Sequence, residues 1–86
     1  MIEKIRNAVE KFNGGESSEA NALLISVGNR IIKIKFSGEI PWGERCLNDY
    51  FKDMMHNLKD SGVGNKIKWI NTDETRVNYL VEYEIL

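Results

Sequence analysis

The apolar residues of this 86-residue chain switch period in a fixed order, helical, alternating, alternating, then the same three again, and few folds accept that order. Ile2, Ile5, Val9 and Phe12 recur at helical spacing, with Glu3, Lys4, Arg6, Asn7, Glu10 and Lys11 on the other side, which predicts an amphipathic helix over 2–12. Asn13-Gly14-Gly15 stops it, because glycine takes the left-handed conformation that closes a helix without steric cost. Leu23, Ile25 and Val27 then alternate with Ala22, Leu24 and Ser26. Beyond Gly28-Asn29, Ile32, Ile34 and Phe36 alternate with Ile31, Lys33 and Lys35. Two strands, 22–27 and 31–37, joined by a tight turn at the Gly-Asn pair, are the expectation.

The second half repeats the order. Pro41 ends the preceding strand, and Leu47, Tyr50, Phe51, Met54 and Leu58 trace one stripe of a helix over 44–60. With Gly43 as N-cap, Trp42 and Leu47 occupy the two positions of a hydrophobic staple. Ser61-Gly62 closes the helix. Lys66, Lys68 and Ile70 alternate with Ile67 and Trp69 in a strand over 66–71. After the polar turn Asn71–Thr75, Val77, Tyr79, Val81, Tyr83 and Ile85 alternate with Asn78, Leu80, Glu82 and Glu84 in a strand over 76–85.

Each hairpin has one apolar face to cover, and each helix has one apolar stripe. A two-layer α+β sandwich in α-β-β-α-β-β order, with both helices on one face of a four-stranded antiparallel sheet, serves both. The chain is short enough for one such domain over 1–86. The expected core is Ile2, Ile5, Val9, Phe12, Leu23, Ile25, Val27, Ile32, Ile34, Phe36, Leu47, Phe51, Met54, Leu58, Ile67, Trp69, Val77, Tyr79, Val81 and Tyr83.

Twelve basic against thirteen acidic residues give a formal charge of −1, so no overall field selects nucleic acid or an anionic membrane as partner. The opening Met1–Arg6 is charged instead of forming an apolar run, and the longest uncharged apolar stretch, Ala22–Val27, is far short of the ~18–20 residues that cross a bilayer. A cytoplasmic protein without a membrane partner is expected. Cys46 is the only cysteine, which excludes an internal disulfide and fits a reducing compartment.

Chemistry-bearing groups are sparse. His56, the only histidine, falls opposite the apolar stripe of the second helix and reads as an exposed side chain. Cys46 lies in that helix's first turn, where the dipole favours a thiolate, but it has no resolving cysteine, and its position beside Leu47 suits a small half-buried apolar residue. One thiol and one histidine do not make a zinc site. Gly62-Val63-Gly64 follows a helix and opens a strand, the reverse of a phosphate-binding loop. Asp49 and Asp53 read as solubilising charges on one helix face. No catalytic residue, metal or cofactor is expected, and Cys46 is the one candidate nucleophile.

The sheet face away from the helices is where function is expected. By the alternation it carries Ala22, Leu24, Ser26, Ile31, Lys33, Lys35, Lys66, Lys68, Ile70, Asn78, Leu80, Glu82 and Glu84. Of these, Leu24, Ile31, Lys33, Lys35, Lys66, Lys68, Ile70, Leu80, Glu82 and Glu84 are the candidate binding residues. A face mixing aliphatic, lysine and glutamate side chains suits another protein or a second copy of the chain. Its lysines offer RNA or single-stranded nucleic acid as the alternative partner, against which stands the expectation that Phe36, Trp69, Tyr79 and Tyr83 all point to the helices and leave no ring to stack bases.

Overall fold

The computed structural model describes residues 2–14, 20–38, 44–72 and 78–86, with side chains omitted at 20, 38, 44–49 and 72. The elements run α1 (Ile2–Asn13), β1 (Ala20–Gly28), β2 (Ile31–Gly38), α2 (Glu44–Asp60), β3 (Asn65–Thr72) and β4 (Tyr79–Ile85). The strands form one antiparallel sheet in the order β1-β2-β4-β3, with α1 over β1 and α2 over β3 on the same face. This is the two-layer α+β architecture that the periodicities demand. The staple of Trp42, Gly43 and Leu47, and the start of the last strand at Arg76 and Val77, lie outside what is described.

Helix α1 buries Ile5, Ala8, Val9 and Phe12, the stripe that spacing of three and four selects. Ile2, expected in the core, is instead exposed as the first residue of the helix, where no preceding turn packs over it. In α2, Phe51, Met54 and Leu58 are fully covered. Gly62 then takes φ 94°, so that the Gly62 amide donates to the Lys59 carbonyl at 2.9 Å and the Val63 amide to the Leu58 carbonyl at 2.8 Å. This pair of bonds closes a helix with a left-handed residue, and buried Val63 packs beside Leu58 as the motif requires.

Aromatic rings carry the contact between layers. Phe36 of β2 meets Phe12 of α1 edge-on at 5.4 Å between centroids and Phe51 of α2 at 5.1 Å. Phe51 reaches Tyr79 of β4 at 5.9 Å. Tyr83 is buried and its hydroxyl donates to the Phe51 carbonyl at 2.9 Å; burial pushes its phenol well above the ordinary range, so the donor stays protonated.

Asparagines tie each helix to its edge strand. The Asn13 carboxamide grips the main chain of Ala22, donating to its carbonyl at 2.9 Å and accepting from its amide at 2.7 Å. Asn65, fully buried, donates to the carbonyls of Met55 and Val63 at 3.1 and 2.9 Å.

The β1–β2 turn is one residue later than Gly28-Asn29. Gly28 pairs with Ile31, leaving Asn29 and Arg30 as the two turn residues, with φ of 51° and 63°. Positive φ at both is the type I′ turn that matches strand twist, and its second position favours glycine. Arg30 holds that conformation at a steric cost of about 1 kcal/mol. Arg30→Gly is therefore expected to stabilise the domain by about 0.5 kcal/mol after the added chain entropy of glycine, raising Tm by about 2–4 °C in a thermal melt.

Candidate functional site

The two edge strands each contain one extra residue. Between Leu24 and Ser26 the register of β1 on β2 slips, so that Ile25 and Ser26 together stand opposite Lys33. Between Ile67 and Trp69 the register of β3 on β4 slips likewise, and Lys68 and Trp69 stand opposite Glu82. Lys33 and Glu82 face each other across the central pair. A bulge reverses the inward and outward phase of everything after it, which alternation alone does not reveal.

The consequences for the open face are specific. On the unbulged central strands the expected residues are in place: Ile31, Lys33, Lys35, Leu80, Glu82 and Glu84 stand half-buried on the helix-free side. Lys66, Lys68 and Ser26 are there too, all exposed. Leu24 is not: it pairs with fully buried Ile34 and packs against the core. Ala22 is buried beside Phe36, where the close approach of Asn13 leaves room for a methyl group. Ile70 pairs with buried Val81 on the helix side, as Val27 pairs with Ile32, and both stay partly exposed at the sheet margins.

In their place come side chains expected in the core. Leu23 stands opposite Lys35 and is 61% exposed, Ile25 is 48% exposed, and Trp69, across from Glu82, is 49% exposed. A ring therefore does stand on the open face. Two strand phases produced these misplacements: β1 is apolar on both sides from Ala22 to Ile25, and β3 changes phase at Lys68. Alternating lysines at 66 and 68 with an aromatic immediately after were the one signal of a bulge in β3.

Read across the strands, the face has three rows. Leu23, Lys35, Leu80 and Asn71 form one; Ile25 with Ser26, Lys33, Glu82 and Lys68 with Trp69 form the middle; Gly28, Ile31, Glu84 and Lys66 form the third. The Glu84 carboxylate lies 3.6 Å from Lys66 Nζ and 3.8 Å from Lys68 Nζ. These exposed pairs contribute little to stability, on the order of 0.2–1 kcal/mol each, but hold two lysines beside an acid. Among the described residues Lys33, Lys35 and Glu82 form no ion pair within 4 Å.

Elsewhere the chain offers little chemistry. His56 is exposed on α2, as is Asp53. The side chains of Cys46 and Asp49 lie outside the description. Among the described residues no group of three or more histidine, cysteine or acidic side chains is placed to hold a metal ion, and no helix is long and apolar enough to cross a membrane.

No protein family, curated protein or solved structure matches the chain.

Proposed function

We propose that the chain is a non-enzymatic module that binds another protein through the open face of its sheet. The observation that supports this is the company the bulges create: Leu23, Ile25 and Trp69, each about half exposed or more, stand around Leu80 and Ile31 on the one sheet face that no helix covers. Apolar side chains supply area to a protein interface, an exposed tryptophan is a frequent anchor, and a rim of both charge signs sets orientation.

Trp69 also favours a second reading, single-stranded nucleic acid, since a ring beside Lys68 is the start of a stacking platform. Three features weigh against it. Trp69 is one ring, Glu82 stands directly across from it, and Glu84 engages two of the four lysines that would track phosphates.

Trp69→Ala with Leu80→Asp removes the anchor and an aliphatic side chain of central strand β4 on that face while sparing the core. Capture of partners from nuclease-treated lysate is expected to fail with this double variant and to survive His56→Ala. Tight binding of a labelled RNA oligonucleotide that weakens steeply with added salt would transfer the face to the nucleic-acid reading. Rapid alkylation of Cys46 in the folded protein would reopen an enzymatic role.

A further inference from the structure

The free edge of β1 differs from that of β3 in a way the open face does not explain. Arg30 O accepts from Ile85 N at 2.7 Å, which fixes the hydrogen-bonding phase of β2 toward β4 and leaves Lys33 and Lys35 bonding toward β1. Residues of β1 opposite Ile32, Ile34 and Phe36 then turn their N–H and C=O groups away from the sheet. These are Val27, Leu24 and Ala22. The Asn13 carboxamide occupies both groups of Ala22 in the manner of a neighbouring strand, which confirms the direction. Among the described residues nothing bonds the outward groups of Leu24 and Val27, on a strand with no charged residue from Ala20 to Gly28. The β3 edge, by contrast, carries Lys66 and Lys68. Lysines and bulges are the devices that keep an edge strand from pairing; β1 has only the bulge.

The bulge compresses this stretch, so that Leu24 and Val27 lie opposite Ile34 and Ile32, one ordinary two-residue repeat apart. Their outward groups flank Ile25 and Ser26 symmetrically, and the strand has no charge to repel a copy of itself. The edge is therefore self-complementary when a second copy runs antiparallel to it. We propose that β1 pairs antiparallel with β1 of a second copy, about a two-fold axis beside Ile25 and Ser26, so that Leu24 of each chain exchanges main-chain hydrogen bonds with Val27 of the other.

The register is consistent at every position. Leu23 falls opposite Gly28 of the other copy, and the space around Gly28 is open. The Asn13-capped Ala22 lies just beyond the paired segment. No like charges meet, and the exposed Leu23 and Ile25 gain cover. The two four-stranded sheets become one, and the open faces join side by side. The inference does not depend on what the open face binds.

Light scattering over a concentration series, with amide hydrogen exchange by NMR, tests it. The wild type is expected to form a dimer whose Leu24 and Val27 amides exchange slowly. Ile25→Lys and Ile25→Glu, at an exposed position, each place like charges across the axis and are expected to raise the dissociation constant about tenfold or more. An equimolar mixture of the two is expected to recover the dimer, and Trp69→Ala to leave it unchanged. A monomer at all concentrations, fast exchange at Leu24 and Val27, or a mixture no tighter than its components would overturn the pairing. Growth into polymers would overturn it in favour of β1 joining β3 of the next copy. Loss of the dimer in Trp69→Ala would move the contact to the open face.

Discussion

Phe36→Ala is expected to unfold a large fraction of the molecules at growth temperatures. Its ring is fully buried and meets Phe12 of α1 and Phe51 of α2, so both helices pack on the sheet through it. Removing a buried phenylalanine costs about 3–5 kcal/mol, because the transfer free energy is lost and the cavity closes only partly. A domain of this length holds only about 4–13 kcal/mol in total. Urea denaturation should show the midpoint falling with little change in slope, and a thermal melt should drop by at least about 12 °C. Phe36→Leu, which retains most of the volume, should lose much less.

The second large effect separates two neighbouring leucines. Leu24→Asp is expected to cost about 3 kcal/mol or more, since it places a carboxylate against Ile34 and the core with no partner of opposite charge. Leu23→Asp, one residue earlier, should change stability by only about 0.5 kcal/mol, because its side chain stands in solvent near Lys35. Denaturant titration of both variants at one low protein concentration checks the phase of β1. Equal costs, or the reverse order, would mean that the strand is rotated from the register described.

These two predictions differ in how much of their basis is written in the chain. Phe36 belongs to β2, a central strand that keeps strict alternation against neighbours on both sides, and Ile32, Ile34 and Phe36 are inward as the pattern requires. The same holds for Tyr79, Val81 and Tyr83 in β4. Over the described side chains the helical stripes are equally legible from spacing, Ile2 apart, and with them the element order and the two-layer arrangement, since no other cover is available for the hairpins.

The edge strands are where sequence reasoning fails. Ala22, Leu23, Leu24 and Ile25 are apolar on both sides, so β1 has no phase of its own and takes the one that α1 imposes when Asn13 closes on the main chain of Ala22. In β3 the phase is correct through Ile67 and inverted at Trp69, because Lys68 is an extra residue that the ladder on β4 absorbs. Local periodicity fixes elements and central strands. Which side chains reach the open face was decided by pairing between strands distant in sequence, where one added residue reverses everything beyond it.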